Sequence, residues 1–273
     1  MENLKLFETA LLSEEKSLLT RCKYLRDIQT FLCWLNGREL SKSQVLQYKA
    51  LLQQQYAAAS LNSILSSLNH YFKFLGRRDC CLKVVRQQRQ IFLDTAKELT
   101  RSEYRQLLNA AREDPRLCLL MQTICSTGIR VSEHSFITVE AARLGYAEVR
   151  LKGKQRRVYL PRDLCRALLR YAAKRKIAAG SIFITSGGKP LDRSNIWAQM
   201  KKLCTKVGVD PRKVYPHNLR HLFARTYYSL EKDIVRLADI LGHSSINTTR
   251  IYTMESGAVH QRQIEKMRLL YIT

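Results

Sequence analysis

YPHNLRHLFARTYY (215–228) and LGHSSINTTRIYT (241–253) begin and end the stretch of sequence that decides the fold. In the first segment, His217 and Arg220 are three residues apart, so on a helix they lie on one face. The apolar residues between the two segments have helical spacing, and Gly242 is suited to end that helix. The stretch therefore predicts two successive helices with polar side chains at their ends.

The polar residues at these helix ends indicate phosphate chemistry. His243 follows the second predicted helix, where a side chain held by a turn can face a cleft. Ser245 can cap a further short helix that carries Tyr252. Two histidines, an arginine and a tyrosine gathered in this way can bind a phosphate and react with it.

The charge of the chain favours a polyanionic partner. Its 273 residues include 47 Lys and Arg against 23 Asp and Glu, which gives a formal charge of +24 and an isoelectric point near 10.0. Hydrophobic residues make up 45%, enough for one large or two modest domains. An excess of this size favours nucleic acid over a merely soluble basic surface.

Membrane insertion and secretion are not indicated. No apolar run approaches the roughly 18 residues of a spanning helix, and the N-terminal MENLKLFETALL lacks a signal-peptide pattern. We therefore expect a cytoplasmic protein without a membrane partner. The cysteines form no CxxC pair, which favours reduced core cysteines over a zinc site or disulfides. They are Cys22, Cys33, Cys80, Cys81, Cys118, Cys125, Cys165 and Cys204.

Residues 1–80 are predicted to form a DNA-binding bundle of three or four short helices. Apolar residues recur there at helical spacing, and Gly37 and Gly76 follow two of the predicted helices. Basic and amide side chains lie between the apolar positions. Each alone is typical of a solvated face, but together they are candidates for contact with a DNA backbone. The candidates are Arg21, Lys23, Lys49, Asn69 and Lys73.

A basic, glutamine-rich segment separates this bundle from the rest of the chain. We place a linker at about 78–97, although a surface helix would have a similar composition. Thr100 and Glu103 form a capping-box pattern that begins a new helix. The second domain is predicted to comprise 98–273 and to be mainly helical.

An arginine and a glutamate one helical turn apart follow the first two predicted helices of the second domain. STGIRVSE (126–133) places a tight turn at Gly128 and then Arg130 and Glu133. Such a pair is usually an ordinary salt bridge on a helix. The sharper interpretation is a buried arginine oriented by a carboxylate.

A hairpin with a basic tip is the only clear β region. Alternating residues predict strands at 148–151 and 157–160, joined by KGKQR at 152–156. A charged turn can simply discourage edge pairing. The other interpretation is a finger that enters a nucleic-acid groove and brings one lysine near the cleaved bond. A short strand is also expected at 181–185, and an amphipathic helix in the tail 257–273.

Cutting a DNA phosphodiester without a metal requires several groups together. Two arginines can hold the non-bridging oxygens, and histidines can donate hydrogen bonds or transfer protons. A lysine can protonate the leaving oxygen, and a tyrosine can form a covalent intermediate. The sequence offers Arg130, Lys152, His217, Arg220, His243 and Tyr252 for these roles.

Five segments in order resemble the signature boxes of the tyrosine recombinase (phage integrase) family. They are TGIRVSE (127–133), KGKQRRVYLP (152–161), HNLRH (217–221), LGH (241–243) and IYT (251–253). Any one box occurs by chance in many proteins, whereas all five in order are specific. The resemblance covers the catalytic domain and, more loosely, the N-terminal helices, as in a small two-domain, Xer-like integrase.

The resemblance implies how the phosphate is held. Arg130 and Arg220 would hold the scissile phosphate, and His243 would contact it. Glu133 would orient these groups from behind. The resemblance also implies that neither a metal nor another cofactor is needed.

It further implies which groups move protons. Tyr252 would be the nucleophile that forms a 3′-phosphotyrosine, with His217 acting in acid–base catalysis on its proton. Lys152 would protonate the 5′-oxygen. Because the hairpin tip is about one residue shorter than in common members, Lys154 is the alternative. Lys154 and Arg156 are further candidates for contact with DNA.

Family members imply the architecture and the assembly. The fold would be mainly α with a small β-hairpin in the catalytic domain, in a two-domain, C-shaped clamp on DNA. A tetramer on double-stranded DNA with inverted-repeat core sites would exchange strands through a Holliday junction. The tail 257–273 would pack on a neighbouring subunit, or else on its own core. The protein would be encoded by a bacterium, phage or mobile element and associate with the nucleoid.

Three other functions fit parts of the pattern. A decayed, architectural DNA-binding protein would usually lack one reactive residue, and none is missing. A type IB topoisomerase-like enzyme would use similar chemistry without pairing sites. A zinc enzyme built on His217 and His221 has suitable spacing, but no Glu lies between them and no third ligand is evident.

Overall fold

The computed structural model describes residues 2–86, 95–151, 153–252 and 257–267. The chain forms two compact units, Met1–Arg89 and Gln90–Thr273. The division falls inside the predicted linker 78–97, of which 87–94 lie outside the described residues.

The described part of the first unit is a bundle of four α-helices. Serine side chains begin two of them: Ser17 accepts from Thr20 N, and Ser41 accepts from Gln44 N. The core between the helices contains the fully buried Phe31 and other aromatic and aliphatic side chains. The helices are α1 (Glu2–Ser13), α2 (Leu18–Leu35), α3 (Lys42–Gln55) and α4 (Ala58–Phe74).

Within its described residues, the second unit contains the other helices and one hairpin. Its first helix begins at the predicted capping box: Thr100 Oγ1 accepts from Glu103 N (3.1 Å), and the Glu103 carboxylate accepts from Thr100 N (2.8 Å). The helices are α5 (Arg101–Ala110), α6 (Pro115–Thr127), α7 (Val139–Leu144), α8 (Arg162–Lys174), α9 (Arg193–Val207), α10 (Pro216–Glu231), α11 (Ile234–Leu241), α12 (Ile246–Thr249) and α13 (Gly257–Lys266). None of the helices described is both long and apolar enough to cross a membrane.

Gly128 ends α6 and turns the chain toward Arg130. Its φ of +67° lies in the left-handed region. A Cβ there would approach the Phe223 ring to 2.5 Å, so neither the conformation nor the space accepts a side chain. A short 3₁₀ segment, Val131–Phe136, follows and carries Glu133.

The hairpin is tighter than the sequence predicts. Strands β1 (Tyr146–Leu151) and β2 (Lys154–Tyr159) pair antiparallel with Leu151 opposite Lys154. The loop therefore contains two residues rather than the predicted five, and the φ of +71° at Gly153 suits such a turn. Arg156 consequently belongs to a strand and pairs with Val149. Since paired residues share a face, Arg156 lies on the same face as the buried Val149.

The predicted strand at 181–185 is absent as such. Ser181 forms an isolated bridge with Thr138, and Ile184 forms one with Pro190. The described chain is otherwise mainly helical with one small antiparallel sheet, as the sequence predicts.

Candidate active site

The C-terminal end of α11 gathers three arginine side chains from different parts of the unit. The last carbonyl groups of a helix lack intrahelical partners and carry the negative end of the helix dipole. Here each of three successive carbonyls accepts a hydrogen bond from one guanidinium. The bonds are Arg156 Nε to Ile240 O (3.4 Å), Arg220 Nη2 to Leu241 O (2.7 Å) and Arg130 Nη2 to Gly242 O (3.4 Å).

Glu133 is the buried anion of this cluster. Its side chain is 2% exposed and accepts from four donors. Oε1 accepts from Arg130 Nη1 (3.0 Å) and Arg156 Nη1 (3.3 Å). Oε2 accepts from Arg130 N and Arg156 Nη2, both at 2.8 Å. The carboxylate thus neutralises part of the positive charge and orients Arg130, as the sharper of the two interpretations predicts. The buried partner is the glutamate, however, since the Arg130 side chain is 40% exposed.

Arg220 is fully buried on α10 and is held by several hydrogen bonds. Nη1 donates to Gly128 O (2.6 Å), and Nη2 also donates to His243 Nε2 (2.9 Å). Burial, reinforced by the charge of Arg130, lowers the pKa of Arg220 to about 10. The side chain therefore remains cationic at neutral pH. Its buried Nε has no hydrogen-bond partner within the part of the chain that the structure describes.

His243 is a neutral imidazole in this arrangement. Because a guanidinium can only donate, Nε2 accepts from Arg220 and the ring proton lies on Nδ1. Nδ1 then donates to Thr249 Oγ1 (2.9 Å), a fully buried hydroxyl on α12. Burial and then the positive charges of Arg220 and Arg130 lower the pKa of His243 to about 4.

Tyr252 is buried beside two imidazole rings. It is 5% exposed and packs with the buried Leu237 and Leu241. The His221 ring lies edge-on to it, with centroids 5.1 Å apart and an interplanar angle of 84°. The His243 ring stacks at 6.3 Å and 17°. Burial raises the pKa of Tyr252, and the charge of the Arg220 guanidinium opposes that shift.

His217 and His221 lie next to each other on α10. Their ring centroids are 4.7 Å apart. Desolvation and then the charge of Arg220 lower the pKa of His217. Burial is the largest cause that lowers the pKa of His221 to about 4, and the electrostatic effect of His217 lowers it further. Within the described ranges, no three His, Cys, Asp or Glu side chains are placed to hold a metal ion.

Two family models match the chain, one in each unit. The phage integrase family matches residues 97–258, and the N-terminal SAM-like domain of phage integrases matches residues 4–79.

The chain belongs to the phage integrase family.

Relatives and solved structures agree with this assignment. Tyrosine recombinase XerA of Pyrococcus furiosus is 30% identical over 278 residues, which cover 98% of this chain and 95% of that protein. A crystal structure of XerA recombinase is 26% identical, covers 99% of both chains and has a TM-score of 0.55. A lambda integrase fragment, solved as a dimer bound to a core site, shares the fold at 19% identity, with a TM-score of 0.74 and coverage of 94% and 95%.

This phage integrase is accordingly a tyrosine-type site-specific DNA recombinase. The alternatives of a decayed architectural protein and a topoisomerase are not favoured, since two tyrosine recombinases match this chain over 95% and 94% of their own length. The match of the SAM-like model to residues 4–79 also agrees with the helical N-terminal bundle.

Most of the predicted reactive residues of this integrase lie together. Arg130, Arg220 and His243 lie at the end of α11, Tyr252 stacks on the His243 ring, and Glu133 lies behind Arg130. His217 is connected to this group through the His221 ring, which contacts both His217 and Tyr252. Lys152 lies outside the described residues. The backbone of Lys154 belongs to β2.

The roles of two residues in the site were not predicted from the sequence. Arg156, predicted to contact DNA, is instead directed at Glu133 and is only 14% exposed. Thr249 supplies the hydroxyl that accepts the hydrogen bond from His243 Nδ1. The alternation of side chains between the two faces of β2 indicates the direction of Arg156, but only when the strand boundary is known.

The candidate DNA-contact residues of the first unit are largely engaged within it. Lys23 is paired with Asp27 (2.5 Å), and Lys49 donates to Lys83 O (2.8 Å). The Asn69 side chain bonds both backbone groups of Leu82. Lys73 is exposed, and Arg21 is half-buried. Their contact with DNA stays a prediction.

Proposed function

We propose that this recombinase cuts and rejoins DNA through a 3′-phosphotyrosine at Tyr252. The observation that carries the proposal is the gathering of Arg130, Arg220, His243 and Tyr252 near the end of α11. His217 lies beside the His221 ring, which in turn contacts Tyr252. Preorganised groups that stabilise the charge of the transition state are usually the largest single contribution of a protein to catalysis.

Arg130 and Arg220 would bind the non-bridging oxygens of the scissile phosphate. Arg220 is held rigidly by its hydrogen bonds, so little reorganisation is needed when charge develops on the phosphate. Arg130 is 40% exposed and is fixed from behind by Glu133. Its guanidinium is therefore both oriented and accessible.

His217 would take the proton of Tyr252, and His243 would contact the phosphate. Both histidines have lowered pKa values, so both are neutral and able to accept a proton at pH 7. A bound phosphate anion would raise both pKa values, because it stabilises the imidazolium form. His243 would then exchange its hydrogen bond with Arg220 for one to a phosphate oxygen.

Lys152 would donate the proton to the leaving 5′-oxygen, with Lys154 as the alternative. A duplex with sulfur in place of the bridging 5′-oxygen separates the two, since a thiolate leaves without protonation. The variant of the true acid should cleave the ordinary duplex slowly and the sulfur duplex at nearly the wild-type rate. Arg130→Ala is the control, because loss of phosphate binding is not restored by a better leaving group.

The working assembly would be a tetramer on two inverted-repeat core sites, with strand exchange through a Holliday junction. Lambda integrase has been solved as a tetramer bound to a Holliday junction. The N-terminal unit would contribute DNA contacts through Arg21, Lys23, Lys49, Asn69 and Lys73, and Lys154 would add one from the catalytic unit. A cytoplasmic, nucleoid-associated protein of a bacterium, phage or mobile element would meet such sites.

The tail would dock on a neighbouring subunit. No other described element packs extensively against α13, whose Ile264 is 55% exposed; residues 268–273 lie outside the described ranges. An apolar cleft of about 420 Å³ on the same unit is a candidate receptor. Leu230, 72% exposed, lies at its edge.

Two variants test the docking. Deletion of 257–273 and Leu230→Asp should both reduce tetramer formation on paired sites, measured by analytical ultracentrifugation, while binding to a single site persists. Leu144→Asp, at another exposed leucine (64% exposed), is the control. Normal assembly by the deletion variant would refute the docking.

Covalent trapping tests the chemistry. Wild type, Tyr252→Phe and Tyr228→Phe are incubated with EDTA and labelled DNA flanking the gene, and then with nicked duplexes. A detergent-resistant adduct is expected from wild type and Tyr228→Phe but not from Tyr252→Phe. An equal adduct from Tyr252→Phe, or none from wild type on the nicked duplexes, would exclude the proposed nucleophile. An adduct spread evenly over all sequences would indicate relaxation rather than site-specific exchange.

A further inference from the structure

Arg156 connects three segments that build the site. It stands on β2, and its guanidinium binds both oxygens of Glu133, at 3.3 and 2.8 Å. Its Nε donates to Ile240 O at the end of α11 (3.4 Å). One side chain therefore links the hairpin, the 3₁₀ segment after Arg130 and the helix end before His243.

The hydrogen bonds of Arg156 complete the coordination of a buried carboxylate. The two oxygens of a carboxylate offer about four acceptor positions, and those of Glu133 receive four donors, two from Arg130 and two from Arg156. Without Arg156, two acceptor positions on a 2%-exposed anion would be empty. Such a loss is costly, so the carboxylate would rotate to find new donors and would move Arg130 with it.

The stem of Arg156 also supports the turn that leads to His243. A Cβ on Gly242 would lie only 2.6 Å from Arg156 Cδ. The arginine stem therefore fills the space directly above that glycine. Its removal would leave the turn without support on this side.

We propose that Arg156 is a positioning residue for the phosphate-binding groups: it fixes Arg130 through Glu133 and holds the turn that places His243. The proposal rests on the proposed function, because it concerns the same phosphate site. Arg156 touches neither the phosphate nor the nucleophile in this role.

Three variants separate this role from a general effect of charge or stability. Arg156→Met keeps an unbranched stem that reaches about as far as Nε and removes the guanidinium. Arg156→Lys keeps the charge, but an ammonium cannot reproduce the two parallel hydrogen bonds. The control is Arg157→Met on the same strand. Arg157 is half exposed and lies over the Tyr146 ring at 4.2 Å, away from Glu133.

The decisive readout compares two duplexes, one with an ordinary phosphate and one with a neutral methylphosphonate at the cleaved position. A displacement of about 1 Å can slow a reaction about 100-fold. Arg156→Met should show a rate loss of about that size on the phosphate and a much smaller loss on the neutral duplex, which demands less of Arg130. Arg156→Lys should recover part of the rate, and Arg157→Met should match wild type.

A merely structural role would reduce the rate on both duplexes equally, because it lowers only the fraction of active protein. Equal losses, no loss, or no recovery by Arg156→Lys would overturn the proposal. Failure of the wild type to form any adduct would instead refute the proposed function. In that case, the affinity for orthovanadate, measured by calorimetry, tests the role of Arg156 separately. Weaker binding by Arg156→Met but not by the control Arg157→Met supports the role, and unchanged binding by Arg156→Met overturns it.

Discussion

At Gly242, both the backbone conformation and the surrounding space require glycine. Its φ is +63°, and a Cβ would meet the stem of Arg156. Gly208 has a similar φ of +68°, but no atom lies within 4 Å of the position that a Cβ would occupy there. The two glycines therefore separate backbone strain from steric displacement.

Gly242→Ala is expected to impair cleavage, whereas Gly208→Ala is not. Both variants should lose about 1–2 kcal/mol of unfolding free energy from the left-handed conformation. Only Gly242→Ala should also slow adduct formation, by about tenfold or more, since it displaces Arg156 and the turn before His243. Urea unfolding and trapping rates measure the two effects. Equal slowing by both variants would contradict the steric explanation.

The neutral histidines of the site make stability dependent on pH. The pKa values of His221 and His243 are lowered to about 4 in the folded protein, against about 6.5 in an unfolded chain. Between these values the unfolded chain binds protons that the folded chain does not. The unfolding free energy should therefore fall as pH falls from about 6.5 to about 4, and these groups should add little further loss below that.

His221→Phe tests this contribution. The substitution keeps an aromatic ring beside Tyr252 and removes one group that titrates differently in the two states. The unfolding free energy of the variant should decline less steeply than that of wild type between about pH 6.5 and 4. Urea unfolding at about pH 7, 5.5 and 4 provides the comparison, and parallel profiles would refute the assignment.

At the scale of single elements, the start of α5 depends on a local motif. The capping box joins the side chain of each of Thr100 and Glu103 to the backbone of the other. Thr100→Ala should therefore cost about 1 kcal/mol of unfolding free energy. Ser102→Ala, at an exposed position in the first turn of the helix, should cost much less. A similar loss in both variants would show that the box contributes little.

Local motifs of this kind were predictable from sequence, whereas the direction of a strand residue was not. The capping box, the glycine after α6 and the glycine after α11 each follow from short-range chemistry. The role of Arg156 depends on the register of β2, where a shift of one residue reverses the face. The predicted five-residue tip includes position 156, so the prediction did not give the register of β2.

The acceptors of the three arginines were also beyond sequence reasoning. They are backbone carbonyls at positions 240–242. Because every residue has such a carbonyl, the sequence does not show which ones accept these hydrogen bonds. Their availability depends on where α11 ends and on which side chains approach that end. Both are tertiary properties, set by the packing of α10 and the hairpin around it.

At the scale of the whole molecule, the formal charge of +24 should dominate DNA affinity. Each neutralised phosphate releases counterions, so the logarithm of the binding constant should fall linearly with the logarithm of salt concentration. Between about 50 and 200 mM NaCl the affinity should fall by about 1,000-fold or more if six or more phosphates are contacted. Fluorescence anisotropy of a labelled duplex measures the slope, and a flat response would exclude an electrostatic origin.

The end of α11 has a consequence for how this protein tolerates sequence drift. Three arginine side chains are held there by hydrogen bonds to main-chain oxygens, which every amino acid possesses. Replacement of the side chains at 240 or 241 therefore leaves the tether chemically intact, provided that the helix still ends at the same place. The site should therefore tolerate substitutions at these two positions more readily than a change in the length of α11.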